Sequence, residues 1–365
     1  MHRRSFLNSV LVPVAGAAVG VPGVLVRAGR AHASGWRRFE VTTKVEVADP
    51  SGVTRAWVPL PLMTDTDYQK RMGDTWTGNA AVARVHRDAK YDAGFLYAEW
   101  PATEKAPVIE VVSRFATRDR ATEVGAPNRA ARKASRAELE RALEPTRYLP
   151  TDGIVKETAE QITRGMTSDV DRARAIYEWI VENTFRDPEV RGCGLGDIKT
   201  MLETRYFGGK CADLNALYVG LARAAGLPAR DVYGVRVADS REFKSLGKSG
   251  DISRAQHCRA EVHLADHGWV AVDPADVRKV VLEEPPAGRT LSDPLVQKAR
   301  AKLFGSWEMN WLAYNYAHDV KLPHSAGEPV PFLMYPQAET GAGERRDSLE
   351  PASFKYQITS RELTS

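Results

Sequence analysis

Hydrophobic and polar residues alternate over residues 37–47, where Phe39, Val41, Thr43, Val45 and Val47 take every second position. A period of two predicts a β-strand with one buried face. Asp49-Pro50-Ser51-Gly52 turns the chain, and residues 54–60 continue the strand pattern. Further strands are expected over 81–86, 95–100 and 107–115. Residues 36–118 are therefore read as a small β-rich N-terminal domain, a sandwich or barrel-like module. Residues 119–150, rich in Ala, Arg, Glu and Pro, are read as a helical or irregular linker. From residue 151 the period lengthens. One helix is expected over 152–166 and a second over 170–184, with Ser168 as its cap and Ala173, Ile176, Tyr177, Ile180 and Val181 as its apolar stripe. A flexible Arg191-Gly192-Cys193-Gly194-Leu195-Gly196 loop and a short helix over 197–204 follow.

The stretch that organises the chain is Tyr206-Phe207-Gly208-Gly209-Lys210-Cys211 and the helix after it. Leu214, Leu217, Tyr218, Leu221 and Ala225 repeat with helical spacing, and Gly226 and Pro228 are stop signals. Cys211 thus stands on the first turn of a buried helix. Free backbone N–H groups and the positive end of the helix dipole favour a thiolate there, and the same N–H groups suit an oxyanion. Asp213 is expected to cap the helix start.

A second informative stretch runs from His257 to Pro274. After a strand over 230–237 and a polar loop over 238–253, expected to be mobile and beside the site, it alternates as two short strands around a turn. His257, Arg259, Glu261 and His263 share one face of the first; Trp269, Ala271 and Asp273 share one face of the second. An apex at Ala265 sets His257 opposite Asp273; Gly268 hints at a later turn, with a bulge to restore that pairing. Residues 290–365 hold Trp307, Trp311, Tyr314 and Tyr316, with strand candidates at 332–335 and 354–358, and are expected to pack on the core as a C-terminal region.

Charge and the N-terminus change the picture outside the site. Arg3-Arg4-Ser5-Phe6-Leu7, an uncharged stretch to Val26 and Ala31-His32-Ala33 read as a twin-arginine signal peptide over 1–33, cleaved near Ala33. The uncharged stretch has the length of a membrane anchor; its prolines, glycines and cleavage motif favour export, to the periplasm or beyond. This segment carries four of the 51 Lys and Arg residues and no acid, so the rest has 47 bases against 47 acids. The pI of 8.8 is largely the signal's. Composition therefore offers no case for nucleic acid, and no later apolar run approaches membrane length, so no stable membrane insertion is expected after cleavage.

A cysteine nucleophile needs a base and a group that orients the base. The order Cys211, His257, Asp273 resembles the transglutaminase-like superfamily with its papain-like cysteine fold. The matching segments are Gly208-Gly209-Lys210-Cys211-Ala212-Asp213-Leu214-Asn215, Ala224-Ala225-Gly226-Leu227-Pro228-Ala229-Arg230, the strand from His257, and Gly268-Trp269-Val270-Ala271-Val272-Asp273-Pro274; together they cover about residues 155–280. The resemblance implies an α+β core over 151–285, a Cys-bearing helix packed on an antiparallel sheet, with Cys211 as nucleophile, His257 as base and Asp273 as orienter. It implies acyl transfer on carboxamide or peptide bonds of a protein or peptide substrate, and no cofactor. Arg259 departs from the aromatic residue the family commonly has there, which bears on the shape of the substrate groove.

Other readings compete at single residues. Cys211 as a small core residue is the bland alternative. Cys193 lacks a predicted base. Cys258 follows His257 in a strand and so points to the opposite face; a Cys193–Cys258 disulfide is the expectation for the two leftover thiols. His263 and His267, with Cys258, suggest zinc, but a strand and its turn do not bring such spacing together. Asp276 is an alternative orienter. At the level of the whole protein the rival is a periplasmic peptide- or envelope-polymer-binding module with a degenerate site.

Overall fold

The alternating N-terminal segments do form strands. The computed structural model describes residues 35–125, 127 and 133–364; the expected export segment lies outside them. Arg37–Val47 buries Phe39, Val41, Val45 and Val47 on one face. Two five-stranded antiparallel sheets face each other. The first runs Gly250–Asp251, Phe354–Leu363, Arg37–Val47, Val108–Thr117, Gln69–Gly78; the second runs Glu344–Arg346, Gln337–Thr340, Thr54–Pro59, Gly94–Trp100, Val82–Arg87. Val45, Val58, Leu96, Trp100 and Ile109, drawn from both sheets, form the core between them. Gln69–Gly78 was not anticipated: its face is largely exposed and carries no apolar alternation.

The sandwich is not made by the N-terminal segment alone. Phe354–Leu363 pairs with Arg37–Val47 across ten residues, and Gln337–Thr340 pairs with Thr54–Pro59. The C-terminal region expected to pack on the core is instead divided. Trp311–Asn315 joins the central sheet, while the last strands complete both sheets of the sandwich. Sequence-local reading cannot see a strand pairing that closes over some three hundred residues.

The central sheet has the antiparallel order Gly268–Val272, Gln256–Leu264, Ala229–Arg236, Trp311–Asn315. The Cys211–Ala224 helix packs on it, with Leu214, Leu217, Tyr218 and Leu221 buried against Ala260, Val262 and Val270. Its end follows the sequence signal: Gly226 takes φ +80°, and Gly226 and Leu227 donate to the Arg223 and Ala222 carbonyls at 2.9 Å each. Asp169–Asn183 is capped by Ser168, whose hydroxyl accepts from Asp171 N–H. The result is an α+β core with an appended β sandwich. No helix among the described residues is long and apolar enough to cross a membrane.

Candidate active site

Three elements bring the predicted side chains together. Cys211 begins its helix, and Asp213 ties down the chain before it. One Asp213 oxygen accepts from Lys210 N–H at 3.0 Å; the other accepts from Leu195 and Gly196 N–H at 2.9 Å each. The expected helix cap thus also holds the preceding loop. Gly194 is demanded there: its φ is +91°, and a Cβ would lie 1.8 Å from Asp213 Oδ2. The loop delivers the Cys193 carbonyl to Ala212 N–H at 2.9 Å. One of the helix-start amides is therefore already bonded and is not available to an oxyanion.

The hairpin holds His257 near Asp273 by a route that differs from the expected pairing. Ala260 pairs with Val272 and Leu264 with Gly268, so the turn centres on Asp266 and Arg259, not His257, lies level with position 273. The register is regular, without the expected bulge. Asp273 has left the strand and caps the Pro274–Glu283 helix, its Oδ1 accepting from Asp276 N–H at 3.1 Å. Proline at the first helical position is pre-set for such a start. The cap turns Oδ2 diagonally towards His257, and Nε2 lies 2.8 Å from it. Asp276, on the first turn, lies 3.4 Å from the same nitrogen and takes Arg236 Nη2 at 2.6 Å. Both weighed orienters therefore face the imidazole.

The electrostatics follow from these contacts. Burial opposes charge on His257 and Arg236 adds repulsion, but the Asp276 and Asp273 carboxylates outweigh both and raise its pKa to about 9. Burial raises Asp273, with the Asp276 charge adding to it. At Asp276 the Arg236 guanidinium overcomes burial and holds the carboxyl well below its usual range. The Cys193 and Cys258 thiols, and after them His257, hold Cys211 well below the ordinary thiol range against burial. Conversely, Cys211 and burial push the Cys193 thiol up, and burial and Cys211 push Cys258 up. Of the three thiols, the environment favours the charge on Cys211.

One expectation about cysteine needs correction. All three are free thiols, so Cys193 and Cys258 are not joined. Cys258 does point away from His257, as strand alternation requires, but that is the face on which the Cys211 helix packs. Cys258 is therefore also a neighbour of Cys211. Cys193 Sγ also reaches the Gln256 carbonyl at 3.4 Å, and Cys258 Sγ lies 3.9 Å from Met334 Sδ. The 238–253 loop lies beside the site, as expected, with Lys248 and Asp251 on the same groove as Cys211 and His257. Its Leu246 carbonyl accepts from Arg236 Nη1 at 2.6 Å and from Asn310 Nδ2 at 2.9 Å, and Glu284 accepts from the N–H groups of Lys244 and Ser245.

A model of the transglutaminase-like superfamily matches residues 156–274, which span Cys211, His257 and Asp273. An uncharacterised protein of Haemophilus influenzae is 36% identical over 345 residues, 89% of this chain and 91% of the relative. The chain belongs to the transglutaminase-like superfamily. Its fold is also similar to that of a Cytophaga hutchinsonii protein described as a candidate cysteine protease, with a TM-score of 0.55 over 91% of this chain and 92% of that one, at 12% identity.

The family departure at Arg259 does not reshape the groove. Arg259 is buried beside Trp307 and Trp311, its guanidinium 4.7 Å from the Trp311 ring centre, and Nε lies 3.7 Å from Asp273 Oδ2. Burial, only partly offset by Asp273, pushes its pKa down to about 10. It backs the carboxylate from behind. Asn215 is the residue sequence reasoning passed over. One turn after Cys211, its Nδ2 donates to the Cys258 carbonyl at 2.9 Å and to Asp273 Oδ1 at 3.2 Å. Its i+4 spacing from Cys211 was a usable signal, as was the Asp273-Pro274 helix-start pair that places Asp276. Arg236 carried no such signal. His263 stacks edge-on with Trp269, away from Cys258. The metal-like cluster found among the described residues is not that group but His257, Asp273 and Asp276, where Arg236 already supplies positive charge.

Proposed function

We propose that this protein is a cysteine-dependent acyl-transfer enzyme acting on carboxamide or peptide bonds. Cys211 is the nucleophile, His257 the base and Asp273 its orienter, with Asp276 and Arg236 setting the charge around them. The observation that carries this reading is the shared groove. Cys211 and His257 both line it, while Asp273 grips Nε2 from behind and leaves Nδ1 for the thiol. The thiolate attacks the carbonyl carbon, and the Cys211 amide stabilises the oxyanion. The imidazolium gives its proton to the leaving ammonia or amine, and a thioester remains. Water then releases an acid, or an amine takes the acyl group; His257 takes the proton of either acceptor. Both outcomes use the same residues.

Residues 1–33 fit export by the twin-arginine route, which puts this chemistry in the periplasm or outside the cell; N-terminal sequencing of the exported product beginning near residue 34 is the expected result, and a retained Met1 argues against cleavage. The activity is tested on glutamine peptides with and without an amine acceptor. Ammonia release without amine incorporation identifies hydrolysis, and incorporation identifies transfer. If neither occurs and all three cysteines alkylate slowly below pH 8, the binding-module reading replaces the enzyme.

A further inference from the structure

Past residue 33 the chain carries as many acids as bases, yet the groove in front of Cys211 does not. It has a volume of about 900 Å³. Arg186, Arg191, Lys210, Lys248, Arg254 and Lys279 line it together with the buried Arg236, against a single lining carboxylate, Asp251. A cleft walled by one sign of charge focuses its field and raises the local concentration of the opposite sign. We infer that this groove selects acidic peptides: acyl donors whose residues flanking the attacked carbonyl carry carboxylates.

The source of the positive charge supports this. Lys210 immediately precedes the thiol, Arg191 comes from the Cys193 loop, Lys248 and Arg254 from the segment before the histidine strand, and Lys279 from the helix after Asp273. These separate segments converge on one space. Arg191 pairs with Asp347 and Lys279 with Glu283, at 2.5 and 3.6 Å; Arg186 also pairs with Glu283. Neither acid lines the groove, so the wall presents the cations. Lys210, Lys248 and Arg254 have no carboxylate within ion-pair distance among the described residues; the Lys210 ammonium donates to the Val190 carbonyl at 2.5 Å. Lys279 is the most telling. Burial, with Arg236 adding, lowers its pKa, so its charge has lost solvent without gaining a close, well-aligned partner. A ligand carboxylate there recovers part of that loss.

The other wall is apolar and aromatic, with Tyr335, Leu349, Phe354 and Tyr356. A peptide offers both apolar contact and carboxylates. It also offers the acyl carbon that the thiol at the groove floor needs, which a phosphodiester does not. The substrate class rests on the acyl-transfer reading for turnover, but binding preference is independent of it.

The test therefore separates the two. Fluorescein-labelled decapeptides with one central Gln, flanked by Glu, Ser or Lys, are titrated by anisotropy into full-chain Cys211→Ala protein. The Glu peptide is expected to bind at least about tenfold more tightly than the Ser peptide, with the margin shrinking as salt rises. In a Lys248→Glu/Arg254→Glu background the Glu peptide loses about tenfold and the Lys peptide gains, which a misfolded protein would not reproduce. Lys156→Glu, outside the groove, leaves the order unchanged. Equal binding of all three peptides, or stronger competition by an oligothymidylate than by the Glu peptide, overturns the inference. Preferred binding of the Glu peptide without turnover by the unsubstituted protein sinks the acyl-transfer reading and leaves the groove's preference standing.

Discussion

Two clusters of buried charge share one face of the Gln256–Leu264 strand, and they are wired differently. At Glu261 the circuit is closed. Its carboxylate takes Arg120 on one oxygen and Arg230 Nε on the other at 2.6 Å; Arg230 passes on to Glu138 at 2.8 Å. The Arg230 guanidinium lies 3.9 Å from both the Trp269 and the Tyr316 ring centres. Burial works against the Glu261 charge, but the two arginines hold its pKa below the usual range. At His257, four residues earlier, two carboxylates converge on one ring nitrogen, and Asp276 Oδ2 has no hydrogen-bond partner among the described residues. Access does not separate the clusters, since Glu261 also borders a cavity, of about 320 Å³. What separates them is what titrates. Arginine and glutamate at Glu261 keep fixed charges across the physiological range, while a histidine and a thiol are groups whose protons can be moved near it. A saturated cluster of permanent charges builds structure; an unsaturated one with a movable proton is suited to chemistry.

That contrast can be broken in order of effect. Cys211→Ala is expected to abolish turnover, and His257→Ala to lower it about 10²–10⁴-fold, with iodoacetamide labelling of Cys211 slowed in parallel; fast labelling in His257→Ala removes the histidine from its proposed role. Glu261→Ala is expected to cost about 3–5 kcal/mol of stability in urea unfolding, because it strands two arginines in the interior. The protein that remains folded should label at Cys211 with an unchanged pH profile. A shifted profile would mean that the two clusters are coupled.

Proton linkage sharpens the same comparison. The folded protein holds a proton on His257 up to about 9, whereas the ordinary value is 6.5. Its stabilisation is complete below 6.5 and is lost as pH climbs through about 9. The lowered Cys211 thiol has the opposite slope, so in the unsubstituted protein the two offset each other over much of that window. In Cys211→Ala the imidazolium contribution stands alone. Urea unfolding of this variant should show stability falling by up to about 3 kcal/mol between pH 6.5 and 9, a fall that Cys211→Ala/His257→Ala lacks; parallel curves for the single and the double variant would refute the raised histidine. Smallest is Asn215→Ala. Losing the bonds to Asp273 and the Cys258 carbonyl is expected to lower stability by about 1–3 kcal/mol and slow Cys211 labelling severalfold. An effect on stability with no change in labelling would make Asn215 a packing residue only.

Legibility in the sequence followed the range of the interactions. The strand over Arg37–Val47, the cap at Ser168, and the glycine end of the cysteine helix could be read because each depends on residues within a few positions. The face shared by His257, Arg259 and Glu261 was equally plain, being a matter of period two. The hairpin register was two residues out in pairing, since the three-residue turn at Ala265-Asp266-His267 and the departure of Asp273 into a helix cap both shift it.

By itself, then, the sequence determined the cysteine at a helix start, the histidine on a strand and the aspartate before a proline. Backbone periodicity and capping are local physics, and they mark these three positions without any knowledge of their neighbours. Tertiary structure alone decided that Arg236 joins them, that Asp276 shares the histidine nitrogen with Asp273 instead of replacing it, that Cys193 and Cys258 flank Cys211 as free thiols, and that a chain balanced in charge gathers its cations around one groove. Those outcomes come from segments distant in sequence meeting in a low-dielectric interior. Only proximity there gives a charge its pKa, and no pattern along the chain encodes proximity.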